Sequence, residues 1–174
     1  ALDDERIVGG HRTMVGGTML AAELAAAHGL AIHLGGGCTN AFSDRGGNGC
    51  LLADVPAAVA MLRQLKLARK IMVIDLGATQ ANGVAAALAN DPDAFLLDIY
   101  EASNYPPVKQ PEGPGGIAIP DGLGDGEYRL RLDQALTMAL DSFRPELVIY
   151  VAGVDVAAGD PRGHSALTPG GILA

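Results

Sequence analysis

Four short apolar runs, at 30–34, 71–76, 95–100 and 147–152, recur along the chain with helix-like stretches between them. Runs this short suit strands buried on both faces better than helices, because a buried helix needs ten or more residues. The intervening stretches carry helix punctuation. The apolar segment 19–27 follows Gly16, Gly17 and Thr18 and ends at His28 and Gly29, a helix followed by a glycine stop. Asp54 ahead of Pro56 predicts an N-cap, and Val55, Val59, Leu62 and Leu65 continue the apolar spacing. That helix ends among Lys66, Arg69 and Lys70, cations that suit the negative end of the helix dipole. An Ala-rich helical stretch separates the second and third runs, and Asp125 is placed to cap a helix over about 127–143 that Pro145 stops. Residues 105–122 are rich in proline and glycine and predict an irregular excursion.

Strand and helix in alternation imply α/β class, a three-layer α/β/α arrangement with a mostly parallel sheet and right-handed crossovers. Ligands in such sheets bind beyond the carboxyl ends of strands. The loops that matter are therefore 35–49, 75–83, 98–107 and 153–163. No internal repeat or domain boundary shows, so residues 1–174 read as one domain. With no Trp and 24 glycines, its core must be closely packed Ala, Leu, Val and Ile.

The formal charge of −8 is spread along the chain without a Lys/Arg cluster, which disfavours nucleic acid and anionic membranes as partners. Two cysteines, Cys38 and Cys50, are too few for a secreted disulfide framework and point to a reducing cytoplasm. No apolar run is long enough to span a bilayer, and no signal-like start is present.

The loops hold a recognisable series. It comprises Gly16-Gly17-Thr18, Gly35-Gly36-Gly37, Ser43-Asp44-Arg45-Gly46-Gly47 with Cys50, and Asp75-Leu76 with Gln80 and Asn82-Gly83. It continues through Asn104-Tyr105-Pro106, Pro120-Asp121-Gly122, Phe143-Arg144-Pro145-Glu146, Ala152-Gly153-Val154-Asp155 and Leu167-Thr168-Pro169. In this order the segments resemble the zinc-dependent histone deacetylase family, especially its class IV members and the bacterial acetylpolyamine amidohydrolases. The resemblance implies the arginase/deacetylase fold. It also implies hydrolysis of an acetyl amide, on an acetyl-lysine peptide or an acetylated polyamine, by a zinc-bound water. Two histidines would move protons and a tyrosine would hold the oxyanion.

Carried over residue by residue, that chemistry is mostly missing. The histidine pair falls on Thr39 and Asn40, neither of which exchanges a proton near neutral pH. Two zinc-ligand positions fall on Gly77 and Thr79, and only Asp155 keeps the third. One carboxylate does not hold zinc where three protein ligands are usual, so zinc is not expected here. Asp75 matches a residue of a structural potassium site and Asp98 falls near the same shell, so potassium retention is an expectation. The tyrosine loop and an N-terminal section of the family pattern have no counterpart in 1–174, which reads as a partial domain of marginal stability, prone to self-association.

Blander and sharper alternatives stand beside this. Asp75 and Asp155 are also ordinary strand-end caps, Gly46, Gly47 and Gly49 are turn residues rather than a phosphate cradle, and Cys50 is a small buried hydrophobe. Cys38, Asp155 and His164 are the candidates for a rebuilt zinc site. The expected function is an inactive deacetylase-like domain. The alternatives are a binding or regulatory module that uses the former pocket or dimerises with an intact relative, and a hydrolase with a rebuilt site; an engineered sequence or a translated fragment would carry the same signature.

Overall fold

The computed structural model describes residues 5–111 and 113–174. Its elements run α1 (Glu5–His28), α2 (Asp54–Gln64), β1 (Ile71–Asp75), α3 (Asn82–Leu88), β2 (Ala94–Glu101), β3 (Gly116–Ile119), α4 (Asp125–Phe143), β4 (Leu147–Val151) and α5 (Pro169–Leu173). The four strands form one sheet in the order β3-β2-β1-β4, and every pairing is parallel. The expected α/β class with a parallel sheet is therefore what the chain adopts.

Each face of the sheet has its own core. On one side Val55, Ala58, Val59 and Leu62 of α2 pack on Ile71 and Val73 of β1 and Val84 of α3, with Ala22 of α1 behind them. On the other, Ile99, Ile119, Leu123, Tyr128, Val156 and Leu167 cluster beneath α4. Leu62 and Ile71 are wholly buried, and each such side chain contributes about 2 kcal/mol through removal from water.

Five expectations are corrected. The run 30–34 is not a strand: Leu30, Ile32 and Leu34 are 77, 78 and 97% exposed. A strand needs a hydrogen-bonded neighbour, and the sheet ends at β4 without reaching this segment. The first helix begins at Glu5 and runs through Gly16 and Gly17 instead of starting after them. Gly17 is needed inside it because a Cβ there would stand 2.4 Å from His33 Nε2, so the helix surface is opened for that ring. Asp54 is not the cap of α2; Ala53 is, without a side-chain hydrogen bond. Asp125 likewise follows the cap Gly124, and its carboxylate accepts from the Thr168 N–H at 2.8 Å and from the Thr168 hydroxyl at 2.7 Å. Finally, the Pro- and Gly-rich excursion contains a strand, β3, which pairs from Gly116 opposite Asp98.

Candidate functional site

β1 and β4 end side by side at Asp75 and Val151, and the loops leaving them turn over the sheet toward the loop 37–50. That loop is fastened by Asp54. Its buried carboxylate accepts the Gly37 N–H and the Cys38 N–H, each at 2.8 Å, and the Thr18 hydroxyl at 2.6 Å. The Thr39 carbonyl then takes the N–H groups of Gly83 at 3.0 Å and Val84 at 3.1 Å, satisfying donors that the first turn of α3 leaves without helical partners. Gly83 is required at this junction, since a Cβ there would lie 2.1 Å from the Ala41 carbonyl oxygen.

Together these loops enclose a pocket of about 590 Å³, within the range of small-molecule sites. Thr39, Asn40, Cys50, Asp75, Gly77, Thr79, Tyr105, Asp155 and Arg162 are among its lining residues. The structure brings Thr39, Asn40, Asp75, Gly77, Thr79 and Asp155 to one place.

Asn40 is built into a network of neutral side chains and backbone. Asn40 is 3% exposed and donates from Nδ2 to the Gln80 carbonyl at 2.7 Å and to Asn82 Oδ1 at 2.9 Å, while its Oδ1 accepts from Asn48 Nδ2 at 3.1 Å. The Thr79 hydroxyl lies 3.5 Å from the same Oδ1. Thr39 donates its hydroxyl to Asp75. These contacts hold the side chains in place.

Asp75 is almost fully buried, and loss of water pushes its carboxyl up to about 6 despite the Gly77 N–H at 2.9 Å and the Thr39 hydroxyl, with the nearby Asp155 charge adding to the rise. Asp155 Oδ1 accepts the Ala78 N–H at 2.9 Å. Asp98 sits opposite Asp75 in the strand register, and its Oδ2 accepts the Ala81 N–H at 2.9 Å. Each aspartate therefore fastens the loop after β1, consistent with the capping reading.

A zinc ion does not fit these side chains. Gly77 offers none, Thr79 offers a neutral hydroxyl already directed at Asn40, and Asp155 stands as the sole carboxylate of the three matched positions. Among the described residues no group of three or more His, Cys, Asp or Glu side chains is placed to hold a metal ion. The rebuilt site of Cys38, Asp155 and His164 is thereby corrected: the His164 ring turns to Ser103 Oγ at 3.0 Å and lies 3.7 Å from Asp121 Oδ1 and Glu101 Oε2. Its loop is drawn there by its own backbone.

That backbone is held by Glu101, which the sequence reading passed over. Wholly buried at the end of β2, its carboxylate accepts the His164 N–H at 2.8 Å, the Ser165 N–H at 2.7 Å, the Ser165 hydroxyl at 2.6 Å and Asn104 Nδ2 at 2.8 Å. Beside it a Cβ on Gly163 would fall 1.7 Å from the Asp155 carbonyl oxygen, so this loop meets Asp155 backbone to backbone. The signal available in the sequence was a carboxylate directly following a buried run.

Among the described residues no helix is long and apolar enough to cross a membrane. The family profile described as histone deacetylase domain matches residues 4–173. The chain is 39% identical over 175 residues to histone deacetylase 2 of Arabidopsis thaliana, covering 98% of the chain and 45% of that protein. It is 38% identical over 160 residues to an uncharacterized protein of a Picosynechococcus strain, covering 92% of the chain and 53% of that protein. The crystal structure of an HDAC homologue complexed with SAHA superposes with a TM-score of 0.87 at 25% identity, over 97% of this chain and 48% of that one. The chain spans about half the length of the relatives it matches.

Proposed function

The chain belongs to the histone deacetylase domain family, and from that premise we propose that it is a non-hydrolytic member, a deacetylase-fold unit whose pocket binds without turning over. The observation that carries this reading is the pairing of Gly77 with Asp155. The glycine lies where a second ligand would face the aspartate, and it brings only backbone. Thr39 and Asn40 extend the same pattern, because a hydroxyl and an amide replace the two proton carriers.

The pocket itself favours a binding role over a purely structural one. A volume of about 590 Å³ persists at the carboxyl ends of β1 and β4, with amide, hydroxyl and carboxylate groups converging on it. The ligand class this reading assigns is an acetyl-lysine side chain or an acetylated polyamine, in keeping with the SAHA bound to the related structure. A cation of the potassium type beside Asp75 and Asp98 belongs to the same reading, since hard oxygen donors suit it.

The deciding experiment measures zinc content and acetate release together. The purified protein is expected to hold no stoichiometric zinc and to release no acetate from acetyl-lysine peptide or acetylspermidine, while one of these ligands shifts its melting temperature. Acetate release with bound zinc would overturn the non-hydrolytic reading, and an absence of any shift across the ligands would overturn the binding one.

A further inference from the structure

Arg162 is the one cationic residue among those lining the pocket, which also presents the carboxylates of Asp75 and Asp155 and the amides of Asn40, Asn48 and Asn104. Its backbone is held from two sides. The Arg162 N–H donates to Asp160 Oδ1 at 2.8 Å, and its carbonyl accepts from Asn104 Nδ2 at 2.7 Å, the same amide that bonds to the buried Glu101 carboxylate at 2.8 Å. The next residue, Gly163, meets the Asp155 backbone without room for a side chain. Arg162 therefore springs from a fixed stretch of backbone beside Asp155.

The charged end of this side chain has no partner among the described residues. Arg45, Arg63, Arg69, Arg129 and Arg131 each pair with a carboxylate. The Arg162 guanidinium makes neither a hydrogen bond nor an ion pair, and the nearest acid in sequence, Asp160, gives an oxygen to the backbone instead. A guanidinium stays charged at every working pH and presents its donors in a planar fork that fits the two oxygens of a carboxylate. An unpaired arginine is ordinary on an open surface. Here it lines a cavity whose other charged residues are both acidic, so the cavity carries charges of both signs.

We propose that Arg162 is the specificity-determining residue of this pocket, selecting acetyl amides whose far end carries a carboxylate over acetylated polyamines, whose far end is an ammonium. The inference rests on the binding reading above and narrows its ligand class. The amide N–H of such a ligand is a donor for the aspartate carboxylates, and its own carboxylate accepts the Arg162 fork, so charges of both signs in the cavity are answered. An acetylated polyamine satisfies the aspartates equally well but brings its ammonium into a cavity that already holds a guanidinium. That like-charge contact costs affinity, and discrimination of this kind needs a repulsive element as well as an attractive one.

The test uses three probes that share an acetamide and the same alkyl chain and differ only at the far end: 6-acetamidohexanoate, its carboxamide and N-acetylcadaverine. Each is titrated by isothermal calorimetry into the parent protein, Arg162→Gln and Arg162→Lys. In the parent the carboxylate should bind about fivefold more tightly than the carboxamide, the scale of a partly exposed ion pair, and the ammonium most weakly. Added sodium chloride should narrow that gap. Arg162→Gln should erase the preference for carboxylate over carboxamide. Arg162→Lys, which also carries the test if the glutamine variant fails to fold by circular dichroism, should reduce it, because the charge remains without the fork. Equal binding of carboxylate and carboxamide by the parent, tightest binding of N-acetylcadaverine, or a preference undiminished in the folded variants would overturn this assignment and leave the pocket a binding site. Failure of all three probes to bind would overturn the binding reading, and the assignment with it.

Discussion

Gly77 stands so near Asp155 that a Cβ added at the glycine would lie 3.5 Å from the aspartate Oδ1, with Asp75 Oδ1 at 3.2 Å. A carboxylate introduced at Gly77 would therefore join two existing ones at close range, a crowding that only a cation relieves.

The combined variant Thr39→His, Asn40→His, Gly77→Asp and Thr79→His tests this directly. In metal-free buffer it should melt below the parent protein, because it adds charge repulsion and breaks the Asn40 amide network. With zinc it should bind roughly one ion per chain and regain stability, since a ligand specific to the folded state stabilises it by mass action. Metal analysis after desalting reads the result. Equal zinc in both proteins, or none in a folded variant, would mean that these positions are not where the metal site was lost.

The loop around Asp155 depends on Glu101, and this gives a stability prediction independent of metal. The four donors at 2.6 to 2.8 Å around this buried carboxylate are left unpaired by Glu101→Ala. Glu101→Gln keeps an acceptor oxygen for the three donors at Oε1 and sets its amide N–H against Asn104 Nδ2, so it loses less. Hydrogen bonds to a charged group are worth roughly 1.5–3 kcal/mol each, though they do not add fully. A loss of about 3 kcal/mol or more in urea unfolding is expected for Glu101→Ala and a smaller one for Glu101→Gln, with faster proteolysis within 159–165. A loss under about 1 kcal/mol would show that water replaces the carboxylate.

Much of this was legible in the chain, and the failures have physical causes. The runs at 71–76, 95–100 and 147–152 became β1, β2 and β4 within a residue or so, because a strand covered on both faces leaves an uninterrupted apolar stretch. The run 30–34 carries the same signal and fails, because composition records what a segment would bury and not whether a partner strand is there to pair with it. Gly17 misled for a different reason. Glycine normally ends helices, but this one serves the close approach of His33, a contact that no local pattern encodes. At the site, the loops singled out at the strand ends line one pocket. The Glu101 hub escaped because it joins segments distant in sequence.

A pH dependence follows from Asp91. The Arg63 guanidinium on α2 bonds to this carboxylate and holds its pKa below the ordinary value of 3.8, with the Asp93 N–H helping and burial opposing. A lowered folded-state pKa means stability that is present above the unfolded value and is lost as pH falls through the folded one. The pair is about a quarter exposed, so solvent screening limits its worth to roughly 1 kcal/mol. Asp91→Asn should cost about that much at pH 7, and the difference from the parent protein should shrink as pH falls below the ordinary value of 3.8. A pH-independent difference in urea midpoints would assign the loss to packing and not to charge.

The uncovered edge of the sheet yields the last expectation. β4 is an edge strand, and Val148 and Tyr150 on it are 41 and 58% exposed, while Leu30, Ile32 and Leu34 lie open on the segment that did not become a strand. Unpaired backbone N–H and C=O groups beside apolar side chains form a template for another strand, and the most abundant partner in a purified sample is a second copy. Sedimentation velocity should therefore show association that grows with concentration. Val148→Lys should shift the distribution toward monomer, because a charge on an edge strand must be desolvated when a second strand docks. Its melting temperature should change little, since the residue is already partly in water. A parent protein that stays monomeric at the highest concentration reached, or a lysine variant that associates equally, would place the contact on another face.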